Sequence, residues 1–143
     1  MCLYTKQWES KIAEEDITCY KALTKDLKSP CFGQQYELDK LIKSKLVRNP
    51  DDYIALNDTI INEGLHTYKD KCDAIDTVHF RWFCVNNWTN EVHEVYAPVV
   101  VECIIPKGSE YYTGEDRERC KQYASNQLIP KKIIYDATEN AKN

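Results

Sequence analysis

The chain has 143 residues, 43% of them hydrophobic and 29% charged, with 19 Lys and Arg against 23 Asp and Glu for a net charge of -4. That length suffices for one domain with its own core, and the negative balance argues against duplex nucleic acid, whose binding rests on neutralising many phosphates. The longest apolar run, residues 99–105, falls far short of the roughly twenty residues that span a bilayer, so no membrane partner is expected.

In chain order, residues 17–23 are rich in β-branched and aromatic side chains, follow the acidic trio Glu14, Glu15 and Asp16, and predict a first strand. Ser29, Pro30 and Gly33 carry loop chemistry. Over 36–48 two periods compete: Tyr36, Leu38, Ile42 and Leu46 fit alternation, while Leu38, Leu41, Ile42, Lys45 and Leu46 fit one helix face. The reading leans to a strand and leaves the helix open. Asn49, Pro50, Asp51 and Asp52 predict a turn, since the residue before proline is pushed out of the helical region.

Residues 59–68 read as a strand interrupted at Gly64, where a glycine marks a bulge or close approach. Ile75, Val78, Trp82 and Val85 lie at helical spacing behind Asp70 or Asp73 as cap, predicting a helix that ends near Asn86 and Asn87. Residues 92–96 alternate, and 99–105 between two prolines is the clearest strand, with Val99, Val101, Cys103 and Ile105 on one face. Lys107, Gly108 and Ser109 form a turn, Tyr111 and Tyr112 continue it, and 131–135 is a last strand. The fold class expected is α+β, a small mixed or antiparallel sheet with one or two packed helices. It forms a single domain over 1–135, with a polar C-terminal tail over 136–143.

Seven cysteines, Cys2, Cys19, Cys31, Cys72, Cys84, Cys103 and Cys120, form an odd set without paired spacing, and the N-terminus lacks a secretory pattern. Both favour free thiols in a reducing cytoplasm. The sequons at Asn57 and Asn87 then read as chance matches. Cys72, His79, Cys84 and His93 superficially offer four zinc ligands but no knuckle of two ligands two to four residues apart, so neither metal nor cofactor is expected. Phosphate-loop, dinucleotide and nucleophile-elbow signatures are absent, and Glu115, Asp116 and Glu118 beside Arg117 and Arg119 read as a solvated charge run.

Two segments concentrate polar and aromatic chemistry. His66 and Tyr68 are two residues apart, hence on one side of a strand, and both can hydrogen-bond a polar ligand. The Lys107–Ser109 turn can present backbone N–H groups to an anion beside Tyr111, and Arg81 adds a charged fork. Together His66, Tyr68, Arg81, Lys107, Ser109 and Tyr111 form the expected site of a non-enzymatic protein that binds a small anionic ligand such as a nucleotide. The alternative is a protein-interaction or virion-associated module in which 10 Tyr and 3 Trp supply a contact patch, with a homo-oligomer left open.

The N-terminal Met-Cys-Leu-Tyr-Thr-Lys-Gln, the segment Ile17–Lys21, the segment Gly64–Lys69 and the run from Glu102 through Pro106, Lys107 and Gly108 to Tyr112 resemble a family of short uncharacterised proteins of Bacteroides-type bacteria and their phages. The resemblance covers most of the chain and brings no activity. Its phage side implies a likeness in kind to viral accessory proteins that counter host defence by sequestering nucleotide signals. A second resemblance, to ADP-ribosyltransferase-like folds with a split sheet around a nucleotide cleft, implies an enzyme. The Arg, Ser-x-Ser and Glu-x-Glu elements of that fold are not recognisable here.

Overall fold

Strands carry this chain. The computed structural model describes residues 3–7, 9–30, 33–55, 58–79, 82–85, 88–116 and 118–140. Its strands are β1 (Leu3–Thr5), β2 (Lys11–Ile12), β3 (Ile17–Leu23), β4 (Ile42–Lys43), β5 (Val47–Ala55), β6 (Asp58–Glu63) and β7 (Leu65–Tyr68). After helix α1 (Lys71–Thr77) come β8 (Trp82–Val85), β9 (Val92–Val95), β10 (Val99–Ile105), β11 (Glu110–Glu115), β12 (Lys121–Ser125) and β13 (Gln127–Asp136), then α2 (Ala137–Asn140).

One 11-stranded sheet runs in the order β4, β13, β10, β3, β7, β12, β11, β1, β6, β5, with β2 on β11, and β8 and β9 pair only with each other. The ladders are antiparallel. This overturns the expected α+β class: among the described residues the helices have 7 and 4 residues, and the sheet curls into a half-barrel. The curl follows from one segment with two sets of neighbours. β6 pairs β1 through Ile61 and Leu3, while β7 pairs β12 through His66 and Ala124, and β12, β11 and β1 complete the circuit.

Gly64 is the bend between β6 and β7. Its φ is 153°, so the backbone selects glycine; a Cβ there would meet Leu46 Cδ1 at 2.8 Å, a flexible methyl that can shift. The interruption expected at this position is therefore the corner of the half-barrel. Gly114 serves a closer approach, since a Cβ on it would lie 2.2 Å from the Tyr4 carbonyl oxygen.

The inward face of β3 and β10 forms the main core: Cys19 and Leu23 pack with Val99, Val101, Cys103 and Ile105, joined by Tyr36, Leu65 and Leu128. The opposite face is covered by α1, whose Ala74 and Val78 pack with Tyr68 and Val100. A third cluster, Leu3, Ile61, Tyr112 and Ala124 with Leu46, belongs to the curl.

Three local expectations change. The helix stops at Thr77 with Asp70 at its N-cap; Trp82 and Val85 belong instead to β8, opposite Val95 and Val92. The turn expected at 49–52 is absorbed into edge strand β5 as a bulge, since Asn49 and Tyr53 face the consecutive residues Ile60 and Thr59. Edge strands tolerate proline and bulges where central ones do not. Over 36–48 there is neither one long strand nor a helix: positive φ at Asp39 (63°) turns the chain, Ile42–Lys43 pairs with Gln127 and Leu128, and Val47 and Arg48 already belong to β5, opposite Glu63 and Ile61. The start of the expected tail is ordered as α2, where Asp136 Oδ1 accepts from Thr138 N–H at 2.9 Å and Ala137 packs on the sheet; 141–143 lie outside the described residues.

Candidate functional site

Residues directly opposite in a ladder share a face. His66 faces Ala124, which faces Tyr112; Leu65 faces Ser125, which faces Tyr111. His66 and Tyr111 therefore stand on opposite faces of the sheet, and the five described residues of the expected site do not converge. His66 is buried with its Nε2 2.9 Å from the Ile61 carbonyl oxygen, across the Gly64 bend, and burial pushes its pKa down to about 4. An imidazole that is neutral near neutral pH can donate that bond. Tyr68 is buried beneath α1, and burial raises its pKa above the usual phenol range. Arg81 lies outside the described residues.

The Lys107 turn is already satisfied from within. Lys107 N–H donates to Asp16 Oδ1 at 2.8 Å, Gly108 N–H to Ala13 O at 2.9 Å, and Ser109 N–H to Pro106 O at 3.0 Å. Ser109 is buried, its hydroxyl donating to Pro106 O at 2.6 Å. The amides read from sequence as an anion cradle hold a carboxylate and carbonyls of the same chain. Tyr111, edge-on to Tyr123 at 6.0 Å, lines an open cleft of about 940 Å³ whose charged walls are Lys11, Glu14, Glu15 and Asp16. Three carboxylates against one lysine oppose an anionic guest.

Sequence reasoning missed Lys21. It lies between Cys19 and Leu23 on the inward face, and burial lowers its pKa to about 8. β3 and β7 meet in register only at Tyr20 and Tyr68, so beyond that point a backbone carbonyl needs another donor. Lys21 Nζ supplies it, 2.7 Å from His66 O, with the Tyr36 ring centroid 5.6 Å away. A charged residue in an alternating apolar strand is the signal that pointed to it. Cys19 and Cys103 are opposed across β3 and β10; both thiols are free, and burial pushes the Cys19 thiol up to about 12 and that of Cys103 higher still. Among the described residues no group of three or more His, Cys, Asp or Glu is placed to hold a metal, and no helix is long and apolar enough to cross a membrane.

The clearest surface anomaly is the β8–β9 hairpin. Val85 faces Val92, and Phe83 faces Glu94 two positions along, so Phe83, Val85 and Val92 share one face. They are 62%, 58% and 59% exposed, with Trp88 in the connection at 94% and Tyr96 just beyond β9 at 53%. A two-stranded hairpin is marginal in water on its own, and single exposed apolar residues are ordinary where a cluster is not. Comparison of the chain with protein-family models, curated proteins and solved structures finds no match.

Proposed function

We propose that the chain is a protein-interaction module that docks through the apolar face of the β8–β9 hairpin. The observation that carries this reading is the exposure of Phe83, Val85 and Val92 on one face of the two-stranded β8–β9 sheet, with Trp88 in its connection and Tyr96 just after β9 exposed as well. Together they present on the order of 500 Å² of apolar surface, at the upper end of the patches monomers show. Aromatic anchors in a desolvated centre dominate binding energy at such contacts. The charged residues of the hairpin are Glu91 and Glu94, with His93 Nε2 3.8 Å from Glu91 Oε2. Acidic groups beside an apolar stripe suit a partner with an apolar groove and a basic rim, and they disfavour stacking the stripe on a second copy of itself.

A photo-crosslinking residue at position 85 tests this in cells that produce the protein. A discrete adduct with another protein is expected there, and none with the same residue at exposed position Lys25, which belongs to another part of the surface. Equal, diffuse labelling from both positions contradicts the reading.

A further inference from the structure

We infer that a second, independent site binds a small phosphate-bearing molecule between Lys69 and Lys121. The Lys69 N–H donates to Lys121 O at 3.0 Å, extending the β7–β12 ladder by one step beyond Tyr68 and Gln122. The two lysines are thereby held opposite each other on adjacent strands, and both are exposed. Like charges in that relation repel unless an anion lies between them. Beside them is a cleft of about 350 Å³, lined also by Thr113, Glu115 and the half-buried Tyr123, a volume at the small end of ligand sites.

Charge in the cleft favours an anion. Glu115 faces Lys121 from β11 and offsets one of the two cations. The nearby Asp116 keeps its charge but does not line the cleft; its carboxylate accepts from Glu118 N–H at 3.0 Å, Cys120 N–H at 2.9 Å and Gln122 Nε2 at 3.3 Å. The remaining positive charge can engage a phosphate, and Tyr123 gives an aromatic neighbour to any flat ring the ligand carries. This site differs from the one read from sequence: it uses none of His66, Tyr68, Lys107, Ser109 or Tyr111, and it does not depend on the hairpin.

Amide NMR titration of the whole chain with inorganic pyrophosphate, AMP and adenosine tests it at ligand concentrations up to about 10 mM, where even a millimolar site is mostly filled. Saturable shifts confined to the amides of Lys69, Thr113, Lys121 and Tyr123 are expected with pyrophosphate and AMP and not with adenosine. Lys121→Gln and Lys69→Gln should each weaken binding roughly tenfold while the remaining spectrum is unchanged. Absence of saturable shifts, shifts elsewhere, or wild-type affinity in either variant overturns the site.

Discussion

The ammonium of Lys21 donates a 2.7 Å hydrogen bond to the backbone carbonyl of His66 inside the sheet, where β3 and β7 part company. A side chain here takes over a ladder bond that the splayed strands cannot make. The folded state keeps this group at a pKa near 8 against 10.5 for a free lysine. Between those values the unfolded chain holds the proton more tightly, so this group's contribution to stability rises as pH increases from about 8 to about 10.5, by up to about 3 kcal/mol. The buried thiols of Cys19 and Cys103, whose raised pKa values act the other way over that range, are common to the wild type and Lys21→Met, so the difference in urea-unfolding free energy between the two should shift towards the wild type by that amount between about pH 8 and about pH 10.5.

His66 gives a dependence of the same sign in a lower window. Its folded pKa of about 4 lies below the free value of 6.5, so its contribution is complete above about pH 6.5 and is lost as pH falls towards 4. The loss again reaches about 3 kcal/mol. The difference in unfolding free energy between the wild type and His66→Leu, measured at pH 7 and at pH 4.5, isolates it from the protonation of carboxylates. An unchanged difference contradicts a buried neutral imidazole.

The two glycines of the curl should differ in cost. Gly64→Ala must hold a positive φ against a flexible Leu46 methyl, a penalty of about 1–3 kcal/mol. Gly114→Ala drives a Cβ against the Tyr4 carbonyl and the Leu3 side chain, and should cost about 3 kcal/mol or more. Thermal unfolding of both variants ranks them.

Thiol labelling of the native protein should separate Cys72 from Cys19 and Cys103. Cys72 is exposed and the other two are buried, with thiol pKa values raised by that burial. A thiolate-specific reagent is expected to modify Cys72 within minutes and the buried pair only on unfolding.

Sequence showed the strand at Val99–Ile105 because two prolines bound it and its inward positions are uniformly apolar. The Gly64 interruption was legible for a local reason too, since few other residues adopt its backbone. β12 was not, because it buries Gln122 and Ser125 and so lacks the apolar alternation that marks a strand. The shared face of His66 and Tyr68 follows from their spacing, but their burial depends on α1 and the curl, which are long-range. The Lys107 turn could be read, whereas the partner of its first amide, Asp16, is 91 residues away. The apolar hairpin escaped notice because Trp82 and Val85 also fit a helical period, and apolar side chains are ordinarily assigned to the inside.

The central claim concerns that hairpin, and Val85→Glu tests it most directly. Val85 is 58% exposed and faces Val92 across the hairpin, so the substitution should leave the melting temperature almost unchanged while placing a charge in the centre of the docking face. Quantitative affinity capture from cells, wild type beside Val85→Glu at equal stability, is predicted to show a specific protein retained by the first and lost, by at least tenfold, from the second. Identical captured sets from the two proteins would contradict docking through the hairpin.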